Sequence, residues 1–325
     1  MKIKKIILII IAIIIILGIG IVILNAGNIK VNNSNKIQVV VSNFASYDFL
    51  RAIIEKNENV ELTFLLGPGK DTHSYDPTAQ DLIKIKNADL FVYIGGEMEE
   101  WADKVLESLD TNDIKILCIA DDVDKVEEKD IDGAHEDEKE EQNKEENGAF
   151  DEHIWTSPSN AIKMVNSLEK AMEEIDNINA EKYKENAEKY ISQIKEVDSK
   201  IQNIVSNKVR NRLVFGDKMP MQYFMDYYKL DVTAAFNGCS TETDPSAATI
   251  AYVERKVKED KIPVVLYIEL NNGSVAKTIA NEVGDGCVAM QIQTLHNVSL
   301  DDFKKGETWV SLMTRNLEVL KKALQ

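Results

Sequence analysis

Residues 61–85 read ELTFLLGPGKDTHSYDPTAQDLIKI. The apolar run Glu61–Leu66 predicts a strand. Gly67, Pro68 and Gly69 then break any regular structure, and Pro77-Thr78 predicts the opening of a helix that continues through Ile83 and Ile85. Between strand and helix lies His73, one of only four histidines in the chain. A strand, a loop bearing an imidazole and a helix form the repeating unit of an α/β sheet, and the flanking sequence repeats it.

Upstream, Ile37–Val41 reads as a strand and Tyr47–Lys56 as a helix whose apolar face holds Phe49, Leu50, Ala52, Ile53 and Ile54. Downstream, Leu90–Ile94 is a strand stopped by Gly95-Gly96, Trp101–Leu109 a helix and Ile114–Ala120 a fourth strand. Residues 121–146 hold 14 acidic residues and four lysines with almost no apolar content. Such a segment cannot bury a core and predicts a mobile loop. After it, Ser157 with Pro158 opens a helix buried through Ile162, Val165, Leu168 and Met172.

The longest regular pattern comes next. Tyr183, Ala187, Tyr190, Ile194, Val197, Ile201 and Ile204 recur at alternating intervals of four and three, with no Gly or Pro from Ala180 to Asn207. At 1.5 Å per residue this predicts a rod of roughly 42 Å. A second set of strands follows at Leu213–Gly216, Val232–Phe236, Val264–Ile268 and Val288–Ile292, closed by a helix from about Glu307 to Leu324. The expected fold is α/β, with two Rossmann-like lobes of four-stranded, mainly parallel sheets joined by one long helix. The boundaries are an N-terminal lobe over 36–179 with an acidic loop at 121–150, a linking helix over 180–208 and a C-terminal lobe over 209–325.

At the N-terminus three lysines precede 19 uninterrupted apolar residues, Ile6 to Leu24. That run spans roughly 28 Å as a helix, close to a bilayer's hydrocarbon thickness. The flanking lysines place the body outside the cytoplasm. An uncleaved anchor is expected, Asn25-Ala26-Gly27 being a poor cleavage site, and no cysteine follows the run to carry a lipid. The net charge of −17 argues against nucleic acid as a partner. The three cysteines, Cys118, Cys239 and Cys287, lack CxxC spacing and are odd in number, which argues against a disulfide framework.

Ligands of open α/β sheets bind beyond the carboxyl ends of the strands. His73, His153, Asp217, Glu242, Glu269 and His296 each fall just past a predicted strand. Imidazoles with a carboxylate suit a divalent transition metal: Zn²⁺ for a nitrogen-rich shell, Mn²⁺ for one richer in oxygen. A single loop histidine is more often a surface or capping residue, and His135, inside the acidic run, is read that way. Glu242 and Asp217 are equally readable as helix caps. Three of four histidines at strand ends tip the balance towards a metal site of His73, His153, Glu242 and His296, with Asp217 or Glu269 as alternative carboxylates.

These residues, in this order, resemble the zinc and manganese solute-binding proteins of bacterial ABC transporters, the ZnuA-like group. The resemblance runs from about Lys36 to Gln325. Its most specific pieces are Gly69-Lys70-Asp71-Thr72-His73-Ser74-Tyr75-Asp76-Pro77-Thr78 and Asp151-Glu152-His153-Ile154-Trp155, separated by an acidic insertion where zinc-specific members carry a His-rich loop. The resemblance implies an extracytoplasmic receptor, expected to be monomeric. It would capture Zn²⁺, with Mn²⁺ as second candidate, between two lobes and pass it to a permease driven by a cytoplasmic ATPase. Three departures stand out. Lys218 occupies the register of the family's usual third ligand, His296 stands near its usual aspartate, and its lipidated cysteine is absent. Two rival readings are an adhesin or metal sensor on the same fold and a zinc hydrolase using Glu242 or Glu269 as base. The second is disfavoured by the lack of HExxH or any paired nucleophile.

Overall fold

The computed structural model describes residues 36–134, 150–238 and 245–325. The expected N-terminal anchor, His135, Cys239 and Glu242 lie outside the described residues. Among those described, no helix is long and apolar enough to cross a membrane, and Cys118 and Cys287 are free thiols.

Ile37–Gln325 form one compact unit built on two four-stranded sheets. The first contains β1 (Ile37–Val41), β2 (Val60–Phe64), β3 (Leu90–Tyr93) and β4 (Lys115–Cys118) in the order β2-β1-β3-β4. The second contains β5 (Arg212–Lys218), β6 (Asp231–Phe236), β7 (Val264–Ile268) and β8 (Val288–Ile292) in the order β6-β5-β7-β8. Every pairing is parallel. Helices α1 (Phe44–Ile54), α2 (Ala79–Lys86) and α3 (Glu100–Ser108) connect the first sheet. Helices α4 (Pro158–Ile175) and α5 (Ala180–Ser206) lead to the second, which carries α6 (Gln222–Tyr228), α7 (Ala247–Glu259), α8 (Ser274–Val283), α9 (Leu300–Lys305) and α10 (Trp309–Leu324).

Alternation along the strands assigns their two faces to different cores. Val39, Val41, Leu90 and Val92 of the first sheet share one apolar cluster with Leu213, Phe215, Val264 and Leu266 of the second. Val40 and Phe91 face a separate cluster with Ile85 of α2 and Ala102 and Val105 of α3. Val214 and Val265 face another with Val253 and Val257 of α7 and Ala276 and Ile279 of α8. Each sheet is therefore covered on both sides, as parallel sheets require, and the two inner faces close on a common centre. Helix α5 runs through that centre, packing on α1, α4 and α10. Tyr183, Ala187, Tyr190, Ile194, Val197 and Ile201 are buried along it. At the end of the seam Val205 takes the buried place expected of Ile204, which is half-buried.

The acidic loop is expected to be mobile and to bury nothing, yet over 121–134 it has packing partners. Part of it lies on the second sheet's edge. The backbone oxygen of Asp132 accepts from Ala234 N at 3.0 Å, as a further strand would. Its carboxylate accepts from Arg212 Nη1 at 2.9 Å and Thr233 Oγ1 at 2.9 Å. Gln222 Oε1 accepts from Lys129 N at 2.9 Å, and Ile131 is buried in the common core. Composition predicted solvation correctly for most of these side chains and missed that the backbone and Ile131 have partners.

Candidate metal centre

Three loops bring one imidazole each to a single point. The first follows β2, where positive φ at Gly67 (73°) and Gly69 (78°) turns the chain back, and Asp71 Oδ1 accepts from His73 N at 2.9 Å. The second is 151–156. There Glu152 Oε1 accepts from Met98 N at 2.6 Å. A Cβ at Gly96 would lie 2.5 Å from Glu152 Cγ, so only glycine admits this approach at the end of β3. The third follows β8, where Leu295 adopts φ 59°, a strained conformation for a bulky residue.

Hydrogen bonds join these loops across the two sheets. Asn297 Nδ2 donates to the backbone oxygens of Gly67 and Lys70 at 3.1 and 2.6 Å, and Gly69 N donates to Val298 O at 2.9 Å. Trp155 Nε1 donates to Thr294 O at 3.0 Å, and Trp309 Nε1 to Trp155 O at 2.9 Å.

The ring centroids of His73, His153 and His296 lie 4.9–5.6 Å apart. Their candidate ligand atoms fall within 4.8 Å of one another. All three Nε2 atoms are buried without a hydrogen-bond partner. Buried polar atoms are ordinarily satisfied, so three converging orphans call for a shared partner that accepts lone pairs. Nitrogens on a tetrahedral zinc stand about 3.4 Å apart; the trio is preassembled and needs only a small contraction. Among the described residues this is the only such group of His, Cys, Asp and Glu side chains.

The protonation states suit that task. Burial and the neighbouring His153 hold the His73 imidazole down to about 4. Burial, with His153, His73 and Lys218, holds His296 well below its ordinary value. For His153 burial acts the same way, but the charge and hydrogen bond of Asp151 outweigh it and raise the imidazole. Asp151 Oδ1 accepts from His153 Nδ1 at 3.0 Å and from His153 N at 2.8 Å. The acceptor-only carboxylate makes Nδ1 the donor and leaves the Nε2 lone pair for a metal.

The two carboxylates weighed as alternative ligands are differently employed. Glu269 is buried; Oε2 accepts from Thr294 N at 2.7 Å, and Oε1 from Thr294 Oγ1 and His296 N, both at 2.9 Å. It holds the loop that presents His296. Asp217 caps no helix; it accepts from Lys218 N at 2.8 Å and Ile268 N at 3.1 Å, tying β5 to β7. Burial raises both acids above their ordinary values. Sequence reasoning placed both at the site but could not tell a ligand from a brace. It assigned no role to Asp151, whose position two residues before His153 was the available signal.

Two parallel α/β sheets around one rod thus carry a buried tri-imidazole cluster at their carboxyl ends, a donor set suited to a divalent transition metal. Residues 39–323 match the family model "ZnuA: Zinc-uptake complex component A periplasmic", and the chain belongs to that family. The chain is 29% identical over 288 residues to the zinc-binding lipoprotein AdcA of Streptococcus pneumoniae, a match covering 88% of this chain and 55% of AdcA. It thus spans about half the length of that relative. It is 26% identical to the high-affinity zinc uptake system protein ZnuA of Bacillus subtilis, covering 90% of this chain and 89% of that one. The crystal structure of the Zn(II)-bound ZnuA-like domain of S. pneumoniae AdcA superposes with a TM-score of 0.72 at 27% identity. That match covers 89% of this chain and 99% of that domain.

Proposed function

We propose that this protein is the extracytoplasmic zinc-binding component of an ABC uptake system. It captures Zn²⁺ through His73, His153 and His296 and releases it to a membrane permease coupled to a cytoplasmic ATPase. The observation that carries this reading is the convergence of three buried, unpartnered Nε2 atoms from loops of both sheets. The names of the relatives support zinc as cargo and a body held at the outer membrane face. Mn²⁺ is the second candidate, disfavoured by an all-nitrogen trio. The N-terminal apolar segment serves as anchor, the protein works as a monomer, and the functional division is 36–179, 180–208 and 209–325. The family is one of uptake components, and this chain binds and delivers rather than catalyses.

The test is a competition titration of the metal-free protein with Zn²⁺ and Mn²⁺. One tight zinc site is expected, weakened at least a hundredfold in each of His73→Ala, His153→Ala and His296→Ala, since each removes one of few donors. Unchanged zinc affinity in any of the three removes that residue from the site. Glu242→Gln measures whether that carboxylate, expected from sequence, contributes.

A further inference from the structure

His296, alone of the three imidazoles, lines a cavity of about 580 Å³, within the range of small-molecule sites. Its walls include His296, Lys70, Lys218, Asn271, Asn272 and Ser274. His296 is 8% exposed and its Nε2 has no hydrogen-bond partner. Zinc bound by three neutral imidazoles keeps both its positive charges and takes a fourth donor. Three carboxylates also line the cavity, Asp71, Asp217 and Glu269, and each has other work. Both oxygens of Asp217 and of Glu269 accept backbone N–H groups. Asp71 accepts from His73 N, and its second oxygen lies 4.0 Å from Lys218 Nζ.

Lys218 is the unusual wall residue. Its side chain is only 15% exposed, and its charge acts on both His73 and His296. Half-exposed Asp71, 4.0 Å from its Nζ, offsets that charge only in part, and a cation beside a dication opposes metal binding unless a further anion lies between them. We propose that zinc is captured together with a small carboxylate, one oxygen of which completes the metal's coordination while Lys218 meets its charge in this cavity. Asn272 and Ser274 offer further polar groups for the remainder of such a molecule, whereas Asn271 is bonded to Gly273 N and Asp217. The inference rests on the zinc reading above and adds to it a co-ligand and its chemical class.

The experiment uses the metal-free full chain in detergent and a non-coordinating buffer, with acetate as the probe because it barely sequesters zinc in solution. Zinc affinity, read by chelator competition, is expected to rise about tenfold or more when acetate is added. The visible bands of the Co²⁺-loaded protein are expected to shift with it. In Lys218→Met, zinc without acetate should bind at least as tightly as in the parent, because a repelling charge is gone, while the acetate effect on affinity and on the cobalt bands disappears. A parent protein that binds zinc and cobalt with no response to acetate overturns the proposal and leaves the zinc site standing. So does a response to phosphate or bicarbonate alone, or loss of acetate-independent zinc binding in Glu242→Gln, which would mean the chain supplies the fourth donor itself. Absence of zinc binding in every buffer instead overturns the zinc reading.

Discussion

At the level of single residues, the three imidazoles are unequal, and pH separates them. Three unperturbed histidines would all begin to protonate near 6.5, so zinc affinity would fall about three log units per pH unit below that value. Here His73 stays neutral to about 4 and His296 is held lower than usual, while Asp151 raises His153. Metal competes only with protons that the free site takes up. The expected slope is therefore about one log unit per pH unit between roughly 6.5 and 5, carried by His153. Zinc competition at a series of pH values measures it; a slope near three would show that burial does not protect His73 and His296. Glu269 gives a second residue-level outcome. Glu269→Gln replaces one acceptor oxygen by an NH₂ that must face Thr294 or His296 donors. Leaving such a buried donor unpaired costs about 1–3 kcal/mol. The variant should lose that much stability in urea denaturation and weaken zinc binding as the His296 loop loosens. Unchanged values would reduce Glu269 to a bystander.

At the level of elements, the stretch 121–134 carries the clearest prediction. Asp132 joins it to the second sheet through Arg212 and Thr233 and to α7 through Tyr252, so Asp132→Ala should release it and speed proteolytic cleavage within 121–134 severalfold. Cleavage at the parental rate would mean that Ile131 and the Gln222 bonds suffice. Strands and helices were legible in the sequence because their signals are local. The runs at Val264–Ile268 and Val288–Ile292 are strands to the residue, and Pro158 marks the start of α4. The ordering of Ile131 was not legible, since one apolar residue among acids becomes informative only when a distant strand edge receives it. The site divides in the same way. Imidazoles past strand ends are visible in a sequence, whereas the roles of Asp217 and Glu269 depend on which backbone N–H groups turn towards them.

On the scale of the whole molecule, two sheets with two separate outer cores look like two domains, yet their inner faces share one apolar cluster threaded by α5. A common core couples their unfolding. Ile194, fully buried on α5, lies in that cluster, and Ile194→Ala removes packing at a cost of about 2–5 kcal/mol. Thermal unfolding of the metal-free protein should be one transition, coincident by far- and near-ultraviolet circular dichroism. Ile194→Ala should lower its midpoint by roughly 4–20 °C, at about 2–4 °C per kcal/mol for a large domain. Two transitions, or a variant that shifts only one part of the signal, would show that each sheet folds on its own core and that α5 is a tether. Zinc sharpens the contrast, because its three imidazoles come from both sheets. Free zinc at a hundredfold over the dissociation constant adds about 2.7 kcal/mol to whatever must unfold to release it. With a shared core that increment moves the single transition as a whole, and His296→Ala abolishes it without splitting the curve.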